Sequence, residues 1–259
     1  MRKKSLTFVT LLITDLKKVL FILLLALPLS AGAQRVIVRN MPEYDHRAVH
    51  FGFTLGLNTM DFRIRASEYA VNEGFFAEVS TLTPGFNINI VSNFRLGNHF
   101  DFRMLPGVAF GQRRIDYYIV EGGRVPGESG WDSRNEPRLV SSQDIESSFI
   151  EFPFIFKYKS VRINNYRPYL VAGTSLRYDL AKNFSEEDEI YLSLKPFDVY
   201  LETGFGIDFY LPFFKFSTEL KYATGFLHVL EPRPSRRQRY QNAIERLHSN
   251  LFILSFHFE

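Results

Sequence analysis

From Phe51 onward, apolar and polar residues alternate with a period of two. Phe51, Phe53, Leu55 and Leu57 share one face of an extended segment, and Gly52, Thr54, Gly56 and Asn58 share the other. A second segment, Gly85 to Leu96, sets Phe86, Ile88, Ile90, Phe94 and Leu96 against Asn87, Asn89, Asn93 and Arg95, and Gly97-Asn98 then reverses the chain. A third, near His99 to Arg113, opposes Phe100, Phe102, Met104, Val108 and Phe110 to Asp101, Arg103, Gly107 and Gly111. In the fourth, Ser147 to Lys159, Ile150, Phe152, Phe154, Phe156 and Tyr158 face away from Glu151, Pro153, Ile155 and Lys157. Pro153 breaks the rule there, because it lacks the N–H a ladder needs.

Four more segments follow. Asn164-Asn165 marks a reversal into Arg167 to Tyr178, and Leu211-Pro212 turns the chain between Phe197 to Tyr210 and a strand beginning at Phe214. The eighth, Asn250 to Phe258, alternates Phe252, Leu254, Phe256 and Phe258 with Ser255 and His257. Most segments approach the roughly 9–11 residues a tilted strand needs to cross hydrocarbon, against about 5–6 in ordinary sheets. Connections after even strands are short. Those after odd strands span Met60 to Pro84, Arg114 to Glu146, Ala181 to Lys195 and Leu227 to Ser249. Short periplasmic turns and long outer loops have this rhythm. The pattern therefore predicts an all-β fold, an eight-stranded antiparallel transmembrane barrel, over residues 49–259.

Before the barrel, Lys17 and Lys18 precede the apolar run Val19 to Leu27, and Ala31-Gly32-Ala33 supplies small residues for cleavage before Gln34. Residues 1–33 read as a cleaved export signal and 34–48 as a periplasmic segment. The apolar run is shorter than the roughly 20 residues of a spanning helix, so a crossing of the membrane falls to the strands. An even strand count returns both termini to the periplasmic side. The last strand is rich in aromatics, although Glu259 follows Phe258 where a terminal Phe is commoner.

Composition narrows the function. The 27 Phe and 13 Tyr beside 23% charged residues exclude disorder and a helical membrane bundle. With no cysteine, disulfides, thiolate metal sites and a cysteine nucleophile are excluded. A net charge of +3 without a basic stripe argues against nucleic acid. Tyr158, Tyr166, Tyr169, Tyr178, Tyr191, Tyr200, Tyr210 and Tyr222 fall near strand ends, as interfacial girdles do.

An eight-stranded barrel has an interior filled by its own side chains. Its inward set reads as Arg95, Arg103, Glu151, Lys157, Arg177, Glu202, Asp208, Lys215, Glu219 and Lys221, which buried would need to pair as a salt-bridge network plugging the lumen. His46, His50, His99, His228 and His248 lack metal-ligand spacing, and no catalytic motif is present, so neither a metal nor a cofactor is expected. Ser255 and His257, with Ser217 and Glu219 beside them, compose a Ser-His-Glu set on paper, but all four point inward, away from lipid tails. The segment Gly122 to Glu136, with Trp131, reads as a solvated outer loop. In the last long loop Arg233, Arg236, Arg237 and Arg239 suit phosphate, so lipopolysaccharide or an acidic partner fits them, beside Tyr240, Ile244 and Leu247 at helical spacing.

Three stretches resemble the PorT family, barrel proteins associated with the type IX secretion system and gliding motility of Bacteroidota. The most specific runs Phe149-Ile150-Glu151-Phe152-Pro153 through Lys157-Tyr158-Lys159-Ser160-Val161-Arg162-Ile163-Asn164-Asn165 to Arg167-Pro168-Tyr169, then Gly173 and Tyr178-Asp179-Leu180. It resembles the family's central hairpin. The others are Phe51 to Asn58, and Glu202 to Tyr210 with Glu219-Leu220-Lys221. The resemblance implies an accessory or assembly role in cargo export beside other secretion-system proteins, and not the conduit. It maps no catalytic residue. The alternative is a small structural or adhesive barrel, with a lipid-modifying enzyme and then a narrow channel behind it.

Overall fold

The structure, a computed structural model, describes residues 38–79, 82–120, 137–181, 192–231 and 238–259. In chain order they form a 3-10 turn at Tyr44–His46, then β1 (Val49–Ala66), α1 (Glu68–Glu73), β2 (Phe75–Glu78), β3 (Pro84–Arg95), β4 (Phe100–Met104), β5 (Gly107–Ile119) and β6 (Arg138–Lys159). After these come β7 (Tyr166–Asp179), β8 (Ser193–Leu194), β9 (Phe197–Tyr210), β10 (Lys215–Gly225), β11 (Leu230–Glu231), α2 (Gln238–Asn242) and β12 (Ile244–Phe258). The expected export signal, residues 1–33, lies outside the described residues. So do the Trp131 loop and Tyr191.

The long strands close into an eight-membered antiparallel ring. β1 pairs with β12 on one side, Phe53 opposite Phe258, and with β3 on the other, Val49 opposite Phe94. Closure leaves no wall edge unpaired, as hydrocarbon requires. β4 and β5 are one stave: Met104 sits opposite Phe154 and Gly107 opposite Glu151 in unbroken register. The ladder is interrupted between them because Pro106, and Pro153 opposite Leu105, have no N–H to give. The backbone N–H of Leu105 still donates to the Pro153 carbonyl at 3.0 Å. The Asn89 side chain donates to the Leu105 carbonyl at 3.1 Å. The proline that breaks the sequence pattern is thus answered by an asparagine inside the barrel.

Outward positions carry the apolar belt. Phe51 is 70% exposed, Ile90 63% and Phe205 58%. So much exposed aromatic and aliphatic surface, arranged around every wall, faces lipid. At the short turn before β7, Asn164 adopts φ 51°, a left-handed conformation Asn tolerates better than most residues. Gly206 has a spatial reason: a Cβ there would run into the Tyr169 ring, which crosses the lumen at that level.

Four strands run well beyond their expected ends. β1 continues past Asn58 to Ala66, β5 continues past Arg113 to Ile119, β6 begins at Arg138 rather than Ser147, and β12 begins at Ile244 rather than Asn250. In these extensions the faces exchange character. On β1 the outward row Phe51, Phe53, Leu55, Leu57 gives way to Thr59, Asp61, Arg63 and Arg65, while the inward row becomes Met60, Phe62 and Ile64. The apolar residues have moved from the odd to the even positions, which a search for one continuous phase reads as the end of a strand. Much of the expected outer loop is therefore sheet, with α1, β2, α2 and the β8–β11 pair joined to it.

Candidate functional site in the barrel lumen

Many inward-facing residues of the membrane-level strands are charged, and their partners stand on neighbouring staves or across the lumen. Arg103 of β4 bonds Glu219 of β10 at 3.1 Å. It also bonds Glu259 at 3.2 Å. Lys157 of β6 meets Asp208 of β9 at 2.7 Å. Arg177 of β7 meets Glu202 at 2.9 Å and Glu151 at 3.1 Å. Glu202 also receives Lys221 at 2.9 Å, and Lys215 reaches Glu259 at 2.8 Å. Burial of these groups is close to complete. Removing charges from water is costly, so each cation here is matched by a carboxylate and several are held over aromatic rings. The Lys157 ammonium lies 3.6 Å from the centre of the Tyr169 ring, and the Arg177 guanidinium 4.6 Å from that of Tyr200.

Nine of the ten residues expected in the network are in it. Arg95 is not. At the end of β3 its guanidinium bends to the turn, donating to the Gly97 carbonyl at 3.3 Å and the Asn98 side chain at 2.8 Å. The period-two pattern gives the correct face, but at the last residue of the strand an arginine reaches the solvated turn instead. Three expected girdle tyrosines are also inward: Tyr169, Tyr200 and Tyr210 are buried in the lumen. Tyr158, Tyr166, Tyr178 and Tyr222 face outward.

Several members of the lumen were missed in the sequence. Glu259 turns its carboxylate inward onto Arg103 and Lys215, so the residue that breaks the terminal-aromatic pattern closes an ion-pair chain. Asp101 pairs with Lys159 at 2.6 Å. Both alternate in phase with the network and were recoverable from spacing alone. Arg113 lies where the charged lumen meets the apolar extension: its guanidinium is 4.1 Å from the Phe62 ring centre, donates to Ser249 at 3.0 Å and to Ser147, and lies 3.8 Å from Asp179.

The mouth at the short-turn end of the barrel is closed by the segment from Asn40 to Ala48. Asp45 receives the Tyr210 hydroxyl at 2.7 Å and Arg167 at 3.0 Å, with Arg162 at 3.5 Å. Tyr44 stacks on His50 at 4.1 Å between ring centres and donates to Glu259 at 3.1 Å. Burial pushes the Asp45 carboxyl up, but the Tyr210 hydroxyl and the Arg167 and Arg162 charges outweigh it and hold it below the usual carboxylate range. Burial, reinforced by Glu259, raises the Tyr44 phenol.

The residues of the paper triad do not assemble as one. The hydroxyl on His257 Nδ1 is that of Thr54, at 2.6 Å, and His257 Nε2 is 3.4 Å from Glu219. Ser217 instead donates to Asp208 at 2.6 Å. Among the described residues no cluster of His, Asp or Glu is arranged to hold a metal, and no helix is long and apolar enough to cross a membrane. Of the four arginines expected to meet an anion, Arg233, Arg236 and Arg237 lie outside the described residues. Arg239 lies on α2 with its guanidinium 4.3 Å from the Phe75 ring centre.

Among the described residues the cavities along this axis include one beside Arg113, Asp198 and Tyr200 and one beside Tyr44, Asp101 and Lys215, each about 10 Å³. Each has room for about one water. A profile of the outer membrane protein beta-barrel domain matches residues 33–231. The chain belongs to this outer-membrane barrel family. Membership accords with the closed ring and the lipid-facing belt, and it assigns the barrel to the outer membrane. Among solved structures the barrel is similar to OprG of Pseudomonas aeruginosa, at 11% identity and TM-score 0.41 over 82% of this chain and 94% of that one. It is similar to Neisserial surface protein A at 11% identity and TM-score 0.38, over 82% and 98%. Ail of Yersinia pestis, solved with the heparin analogue sucrose octasulfate, follows at 10% identity and TM-score 0.35, over 82% and 98%. No curated protein matches the chain.

Proposed function

We propose that this outer-membrane barrel is an accessory or assembly component of a type IX protein secretion machinery, in the manner of the PorT family, and not a conduit or an enzyme. The observation that argues against a conduit is the lumen, filled by buried ion pairs from Glu259 to Arg113, with cavities of about 10 Å³ among the described residues. A polypeptide does not pass such an interior without dismantling it. The positive half is supported by the PorT-like hairpin, which forms β6, the Asn164 turn and β7. On this reading residues 1–33 are a cleaved export signal. Cargo-handling partners meet the barrel at its rims, and lipopolysaccharide surrounds the outer one, where Arg239 suits its phosphates, as Arg233, Arg236 and Arg237 do by residue type.

Deletion of the gene in its native host, with secreted cargo measured in medium and periplasm, tests this. Cargo held in the periplasm and released again by complementation supports the proposal. Normal secretion with an altered envelope favours the structural or adhesive barrel, a reading that the ordered outer extension also supports.

A further inference from the structure

At the outer end of the barrel, between α1 and α2, lies an open cleft of about 1380 Å³. It exceeds the roughly 300–1,000 Å³ of sites for small ligands. Its walls include Tyr69 and Asn72 of α1, Gln238 and Asn242 of α2, and Arg65 and Glu245 where β1 and β12 meet. Asn72, Gln238 and Asn242 are exposed, and their carboxamides make no hydrogen bond among the described residues. Each carboxamide offers both donors and an acceptor. Tyr69 is half-buried and adds an aromatic surface with a polar tip. The charge is already answered, since Arg65 bonds Glu245 at 3.0 Å. The further charged wall residue, Glu68, is acidic.

That chemistry selects among ligands. Among the described wall residues a phosphate or sulfate meets no free cation, and an acyl chain, though it could cover Val71, Leu230 and Ile244, would leave the carboxamides unsatisfied. A neutral sugar presents a row of hydroxyls that both donate and accept, and an apolar ring face that packs on an aromatic. Placement agrees. Leu57 is the last apolar residue in the outward row of β1, and Arg65 lies eight residues beyond it. At about 3.3 Å per residue and a tilt near 40°, the cleft stands about 20 Å above the hydrocarbon. We infer that this cleft binds neutral oligosaccharide, with α1 and α2 as its two walls.

The sugar belongs either to the outer leaflet or to a soluble glycan, and one experiment separates them. The full barrel, labelled and held in nanodiscs free of lipopolysaccharide, is applied to an array of delipidated lipopolysaccharide chains and soluble neutral polysaccharides. The paired variants Asn72→Ala with Asn242→Ala, and Tyr69→Ala alone, are run beside it, with gel mobility of unheated samples checking that the barrel stays closed. Binding to neutral glycans that falls at least tenfold in the variants is expected, and the class bound names the source. No binding to any neutral glycan, binding to anionic glycans alone, or binding that the variants leave unchanged overturns the inference. The outcome is independent of the secretion phenotype.

Discussion

The membrane-level half of the barrel and its outer extension are the same strands built with opposite polarity. At the membrane level Phe53, Leu55 and Phe205 face out, and Lys157, Glu202 and Glu219 face in. In the extension Asp61, Arg63 and Arg114 face out, while Phe62, Ile115, Tyr117 and Leu247 pack inside with Phe75 and Ala70. The backbone ladder is indifferent to this exchange, because period two supplies two faces without saying which is wet. Solvent decides: lipid outside confines polar groups to the lumen, and water outside restores the ordinary arrangement of an apolar core.

The largest effect is expected from breaking the charged half. Glu202→Leu removes the carboxylate shared by Arg177 and Lys221 and strands buried charge, at about 3–5 kcal/mol. Denaturant unfolding in detergent should show it as a shift of the whole transition. Phe75→Ala tests the apolar half, where Phe75 stacks on Tyr117 at 5.9 Å between ring centres. A loss of about 3 kcal/mol is expected. It should be local, with faster amide exchange in β2, α1 and the top of β5 and little change at membrane level. Equal loosening of both halves would show that they unfold as one.

A single type of substitution then sharpens the boundary. Arginine on the outward row at membrane level, Phe205→Arg, should cost about 2–4 kcal/mol. At the outward position Gln112 of the extension the same arginine should change stability by less than about 0.5 kcal/mol. Similar costs at both sites would place lipid higher on the wall than the change of polarity does.

The smallest effect concerns the latch at the short-turn mouth. The folded pKa of Asp45 lies below its unfolded value of about 3.9, so its contribution is complete above that range and is lost as pH falls through the folded value. Exchange at the Tyr44 to Arg47 amides should stay slow at pH 5 and quicken only in stronger acid. Asp45→Asn should quicken it at neutral pH. Latch opening already at pH 5 would point to another group.

Much of this was legible in the chain. The eight strands, the short turns, the lipid-facing rows and nine members of the lumen network follow from alternation, because lipid on one side makes every second residue diagnostic. Where the alternation changes phase, as between Leu57 and Met60, the sequence alone leaves strand and loop alike. The cleft between α1 and α2 joins residues far apart in the chain, and no spacing marks it.

What the sequence by itself determined is the membrane-level wall: its eight strands, the face that meets lipid and most of the charges that lie inside. Only the tertiary structure decided which charge meets which, since a partner is set by stagger around the closed ring and not by distance along the chain. Closure brings Glu259 to Arg103 and the Asn40 to Ala48 segment into the mouth. It also turns the apolar residues of the extension inward once the wall leaves the lipid.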